Sequence, residues 1–183
     1  MSIKVFYTAS YYGKKKYQKN YDQVLRAIER NEVDIISPEL GGYEKVLSVS
    51  ERSAVKSHDL VHYRAIRKGI QLCDATIIEI SNEDFQLGHE ATLAILNKKP
   101  VLCLSIYEDF SKKIDSPYFH GAHYNEFNLD FVVSDFIKKV SSNRLDQRFN
   151  LFLSRTQLEK LEKFSKEAKT TKSEYLRSLI EKN

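Results

Sequence analysis

The stretch Glu83-Asp84-Phe85-Gln86-Leu87-Gly88-His89-Glu90-Ala91 gathers three carboxylates, a histidine and a glycine within nine residues. An apolar run, Ala75–Ile80, precedes it, and an alanine-bearing run follows, so the chain leaves a strand, crosses a loop and enters a helix through Gly88. Glu90 is expected in the first turn of that helix, facing the strand ends, where the helix dipole favours the ionised form. A carboxylate presented this way suits attack on, or stabilisation of, an electron-poor sugar carbon. The plain alternative is that a first-turn glutamate is good helix chemistry. His58 and His62 stand i, i+4, as helical zinc ligands do, but no third ligand has useful spacing, so a solvated helix face is expected and no metal. Lys14-Lys15-Lys16 is either a phosphate attractor or a solvated face, and Tyr11 and Tyr12 beside it either stack on a base or pack. His120 and His123 flank a loop expected at the crevice. Cys73 and Cys103, with no C-x-x-C, read as small buried hydrophobes in a reducing compartment.

The elements that must position these groups alternate. Ile3–Thr8, Asp34–Pro38, Ala75–Ile80 and Pro100–Ser105 read as strands. Tyr21–Ile28, Ser57–Leu72 with Ser57 as N-cap, Gly88–Asn97 and Asp130–Val140 read as helices, while residues 39–56 read as a mobile loop. Such alternation predicts an α/β fold with a doubly wound parallel sheet, whose ligands bind at the carboxyl ends of the strands. Thr8–Gly13, Ser81–Glu90 and Ser105–Ser116 then surround one crevice. A length of 183 residues with 42% hydrophobic and 30% charged side chains describes a globular chain that needs no disulfide or metal staple. The opening Met1-Ser2-Ile3-Lys4-Val5 leads into a strand rather than a signal peptide, and no apolar run is long enough for a membrane span, so a cytoplasmic location is expected.

With the glycine-x-glutamate helix start, the preceding strand and loop, and Lys99-Pro100-Val101-Leu102-Cys103-Leu104 after it, residues 3–140 resemble the nucleoside 2-deoxyribosyltransferase family and its relatives, the 2'-deoxynucleoside 5'-monophosphate N-glycosidases. The resemblance implies a flavodoxin-like homo-oligomer that cleaves an N-glycosidic bond with no cofactor. It implies Glu90 as nucleophile and Asp84 as the group holding the sugar 5'-hydroxyl. Contacts to substrate would come from Phe6, Ser10, Gly13, Gly88 and Ser116, with Ser10, Gly13 and Ser116 matching phosphate-site positions of the nucleotide branch, and Asp84 speaking for an uncharged 5' end. Two positions depart from the pattern. The tyrosine expected in the first strand falls on Phe6, with Tyr7 next door on the opposite face. The aspartate expected on the helix before the third strand falls on Ile66. His62 and Asp59, four and seven positions earlier on the same helical face, are the candidates to act in its place, and Tyr7 is a further candidate for positioning.

A second part follows. Residues 144–183 carry ten basic and six acidic side chains, whereas the charges before them balance, so the whole excess of +4 lies in the tail. Arg148–Leu153 alternates as a strand does, and Ser154-x-x-Gln157 and Thr171-x-x-Glu174 have capping-box form. This tail resembles the ribbon-helix-helix family, which implies an obligate dimer with paired strands, and Arg148 and Asn150 as candidate DNA contacts. Phe152 on the same face suits protein better than DNA, so dimerisation is preferred. The domains expected are residues 1–140, a linker at 141–147 and a dimerisation tail at 148–183. The function expected is hydrolysis or transfer at the N-glycosidic bond of a nucleoside or nucleotide, with NAD as an alternative substrate. The alternatives are a catalytically impaired nucleotide sensor, or a DNA-binding regulator with that sensor.

Overall fold

The computed structural model describes residues 2–143 and 149–182. Five strands form one all-parallel sheet: β1 (Lys4–Ala9), β2 (Asp34–Ile36), β3 (Ala75–Glu79), β4 (Val101–Ser105) and β5 (Phe119–His123). Their spatial order is β2-β1-β3-β4-β5, the flavodoxin-like order, with the reversal of winding between β1 and β3. The register there sets Phe6 opposite Thr76, Tyr7 opposite Ile77 and Thr8 opposite Ile78. Central strands buried on both faces must be apolar throughout, and β3 and β4 are fully buried.

The pleat sends alternate side chains to two cores. Val5, Tyr7, Ile77, Leu102 and Leu104 meet Val24, Ala27 and Ile28 of α1 (Lys14–Glu29) and Val133, Phe136 and Ile137 of α5 (Leu129–Ser142). Phe6, Ile78, Val101 and Cys103 meet Ile66, Ile70 and Cys73 at and after α3 (His58–Leu72), and Leu87, Ala91 and Ala94 of α4 (Phe85–Leu96). Both cysteines are free and buried. No described helix is long and apolar enough to cross a membrane.

Several boundaries differ from the sequence expectation. Residues 39–56 are not a loop throughout. They hold 3-10 turns at Pro38–Leu40 and Tyr43–Val46 and a short helix, α2 (Val49–Ser53), closed by a Ser48/Glu51 capping box. Glu51 also pairs with Lys68 of α3 at 2.6 Å, and elements this short show no periodicity to read. α1 starts at Lys14, well before Tyr21, because Lys14–Asn20 is polar apart from the buried Tyr17 and shows too little apolar periodicity to read. Ser57 occupies the N-cap of α3 but its side chain makes no capping bond. β5, Phe-His-Gly-Ala-His, lacks the β-branched composition of a strand and escapes a propensity reading. α5 continues through Ser142, so the first two residues of the expected linker are helical.

Cα packing divides the chain into two compact units, Met1–Arg144 and Leu145–Asn183. In the second, α6 (Arg155–Glu167) and α7 (Lys172–Glu181) each begin with a complete capping box, at Ser154/Gln157 and Thr171/Glu174. Phe164 stacks on Tyr175 between them. Arg148 lies outside the described residues, and residues 149–153 form no strand within this single chain. Ser165 is the one buried residue among the described residues of the tail.

Candidate active site

Asp84 decides where Glu90 stands. Its Oδ1 accepts from the Leu87 backbone N–H at 3.0 Å, which makes Asp84 the N-cap and starts α4 at Phe85. The helix therefore does not begin at Gly88, and Glu90 sits in the second turn, beyond the strongest reach of the helix dipole. Its side chain is 1% exposed. Burial pushes its pKa up to about 7, hydrogen bonds from Gln86 and the Thr8 hydroxyl oppose that rise, and the charge of Asp84 adds to it. The expectation of a carboxylate kept ionised by the dipole is thus corrected, because desolvation outweighs it.

One turn before Glu90, Gln86 donates from Nε2 to Glu90 Oε1 at 2.8 Å. The same nitrogen lies 3.0 Å from His62 Nε2, and His62 Nδ1 lies 2.5 Å from the Tyr43 hydroxyl. A continuous chain, Tyr43–His62–Gln86–Glu90, thereby links the segment after β2 with α3 and α4. Burial lowers the pKa of His62, with His58 adding to the fall and Glu44 and Asp59 opposing it. Among the described residues no donor meets Glu90 Oε2, although that atom is buried. Phe6 and Ile66 line the same face of the sheet as an apolar wall.

The other expected residues divide. Asp59 is exposed and reaches His62 only through its field. Tyr7 lies, as the alternation of β1 predicts, in the opposite core, where its hydroxyl donates to the Tyr21 carbonyl at 2.9 Å. Ser10 is buried and its Oγ accepts from Asn82 Nδ2 at 2.9 Å and from the Gly13 N–H at 3.3 Å, which fixes the first loop. Gly13 is demanded by packing, since a β-carbon there would stand 2.1 Å from the Tyr21 hydroxyl oxygen. Gly88 has open space around it. Ser116 Oγ accepts from the Tyr118 N–H at 3.3 Å, in the turn that leads into β5. The lysine run disperses: Lys14 pairs with Glu39 at 2.9 Å and Lys16 leans over the Tyr17 ring. His123 bonds the Ile106 carbonyl and His120 packs on Phe136. Asn150 is exposed on the tail.

Sequence reasoning missed a second buried carboxylate. Glu79 closes β3 on the Tyr7 side, with no exposure. Its Oε1 accepts from Ser81 Oγ and from the Tyr124 hydroxyl at 2.9 Å, and its Oε2 from the Ser81 N–H at 3.3 Å. Burial raises its pKa and those bonds oppose the rise. Thr8 and Gln86 fall within segments expected around the crevice but carry no role of their own there, since a threonine in a strand and a glutamine on a helix make no motif, and Tyr43 falls in the segment expected as a loop. Among the described residues no three His, Cys, Asp or Glu side chains cluster as metal ligands do. A cavity of about 320 Å³ lies beyond β2, walled by Ile36, Ser37, Gly42 and Tyr43 among others.

Neither a protein-family model nor a curated protein sequence matches the chain. Among solved structures it is similar to the Clostridium botulinum CMP N-glycosidase BcmB, at 14% identity and a TM-score of 0.46 over 76% of this chain and 98% of that one. It is also similar to a de novo designed Rossmann 2x3 fold protein, at 18% identity and a TM-score of 0.43 over 83% of this chain and all of the other. A prokaryotic SEFIR domain gives 12% identity and a TM-score of 0.46 over 83% of this chain and 100% of that one. Likenesses this distant leave the chemistry to be argued from the side chains.

Proposed function

We propose that the first unit cleaves the N-glycosidic bond of a nucleoside or nucleotide, with Glu90 as nucleophile. The observation that carries this reading is the Oε2 atom of Glu90, buried and without a partner among the described residues, while Gln86 holds Oε1. Glu90 belongs to α4, the helix that follows β3, and β3 is one of the two strands at the switch point of this open parallel sheet, where such folds take their ligands. Oε2 attacks the anomeric carbon as the carbon–nitrogen bond breaks, and the base departs and takes up a proton. Water then attacks the same carbon, its proton is released, and the Glu90 carboxylate is restored; a second base in place of water makes the reaction a transfer. A pKa near 7 leaves a useful anionic fraction at neutral pH and a more basic nucleophile than an exposed carboxylate. Asp84 caps α4 with one oxygen and offers the other to the sugar 5'-hydroxyl. No step calls for a cofactor.

A second reading is a nucleotide-binding module without turnover, favoured by the apolar pair Phe6 and Ile66 on the Glu90 face. Incubation with a panel of nucleosides, nucleotides and NAD, followed by assay for free base, separates the two. Glu90→Ala should abolish base release through kcat and leave ligand binding in place. Activity that survives Glu90→Ala removes Glu90 from the reaction, and binding without base release selects the second reading. For the tail we propose a second copy of the chain as partner, in the manner of a ribbon-helix-helix pair, with DNA contact through Arg148 and Asn150 the lesser candidate.

A further inference from the structure

A primary amide carries two donor hydrogens on nitrogen and two acceptor lone pairs on oxygen. Gln86 Nε2 spends its hydrogens on Glu90 Oε1, at 2.8 Å, and on His62 Nε2, at 3.0 Å. Because that nitrogen can only donate, His62 Nε2 carries a lone pair and its proton resides on Nδ1, facing the Tyr43 hydroxyl. Turned through half a rotation about its terminal bond, the same amide presents its oxygen to the same two places. There it accepts from a protonated imidazole and a protonated carboxyl. A state with only one of the two protonated sets the amide against a group of the wrong polarity.

We infer that Gln86 is the positioning residue of this site, and that through its amide Glu90 and His62 gain and lose their protons as a pair. Glu90 is then free to attack only when His62 is neutral, and Tyr43 steadies that neutral form. The catalytic consequence rests on the reading of Glu90 as nucleophile; the pairing itself does not. The surroundings permit a common step. Around His62 stand Tyr43 and Glu44 from the turn after β2, His58 and Asp59 from its own helix, and Gln86 from α4. Around Glu90 stand Thr8 from β1 and Asp84 and Gln86 from α4. Burial raises Glu90 to about 7 and lowers His62 below its ordinary value, so apart from the amide Glu90 would take its proton first, and it is the shared amide that joins the two steps.

The test is a proton titration of the full chain, followed by NMR of the Glu90 side-chain carboxyl carbon and the His62 ring. Both signals should follow one curve, steeper than a single-proton titration. Gln86→Met, at an exposed helix position, should split it into two single-proton curves with the Glu90 midpoint moved up. His62→Gln keeps an acceptor for Gln86 but cannot titrate, so Glu90 should then titrate alone with single-proton steepness; this variant serves if the first does not fold. Separate single-proton curves in the unaltered chain, or a joint curve that Gln86→Met leaves unchanged, overturn the inference. Where base is released, the acid limb of the log rate should fall with a slope of about two in the parent and about one in His62→Gln. A joint titration without any base release would keep the pairing and remove the glycosidase reading.

Discussion

The ring of Phe6 lies so close to Gly69 that a β-carbon there would stand 2.8 Å from Cε2 and 2.9 Å from Cδ2. This approach lets α3 rest directly on β1, and α3 is the element that carries Ile66 and His62. Gly69→Ala must push ring and helix apart. It should destabilise the chain by about 1–3 kcal/mol, the usual cost of overpacking, read as a lower urea midpoint at unchanged slope. An unchanged midpoint would mean that the Phe6 ring has room to swing aside.

Glu90 makes stability depend on pH. Its folded pKa of about 7 exceeds that of an exposed glutamate, so the folded chain binds this proton more tightly than the unfolded chain. The resulting stability is fully present below about pH 4 and is lost as pH rises through 7. Glu90→Gln keeps the shape without the charge. Relative to the parent, it should gain roughly 2–4 kcal/mol of stability between pH 4 and pH 8, measured by urea unfolding at both. Parallel pH profiles would show that Glu90 is not perturbed. A stability gain accompanied by loss of base release is the trade expected of a residue kept for chemistry.

Tyr124→Phe deletes one of the donors that meet Glu79 Oε1. Under-solvating a buried carboxylate should cost about 1–3 kcal/mol. Burial already raises the pKa of Glu79, and losing a donor raises it further. Its ionised form therefore suffers most, and the loss should be larger at pH 8 than at pH 5. Equal losses at the two pH values would mean that Glu79 does not change ionisation between them.

The tail exposes Phe149 at 85%, Phe152 at 97% and Ile180 at 77%, with Leu151, Leu153, Leu158, Phe164 and Leu179 partly open. At ~150–250 Å² per aromatic side chain this surface is of the order that a stable dimer needs, roughly 800 Å² per partner. The double substitution Phe149→Asp, Leu151→Asp should lower the mass of the full chain measured by light scattering. An unaltered mass would locate self-association elsewhere, or exclude it.

Much of the fold was legible in the sequence because strands buried on both faces and amphipathic helices leave strong patterns. Ile77-Ile78 and Val101–Leu104 announce a parallel sheet, and the boxes at Ser154 and Thr171 announce their helices to the residue. β5 was not legible, because Phe-His-Gly-Ala-His is held by its neighbour β4 rather than by its own propensity. At Glu90 the glycine at position 88 suggests a helix start, whereas the cap is Asp84, three positions before Leu87. That cap sets the glutamate a turn deeper in α4, where burial and not the helix dipole dominates its proton affinity. The alternation of β1 did separate Tyr7 from Phe6, yet it could not reveal that Thr8 joins Glu90, since that contact belongs to the packing of α4 on the sheet.

The two thiols give the layer between the sheet and α3/α4 an internal clock. Burial pushes Cys73 and Cys103 each up to about 12, so the native chain presents almost no thiolate to an alkylating reagent. Modification must wait for the structure to open. Cys73 caps the end of α3, whereas Cys103 sits mid-strand in β4. If that layer opens as one cooperative unit, both should be alkylated with the same opening free energy; if α3 peels away first, Cys73 should react while Cys103 is still protected.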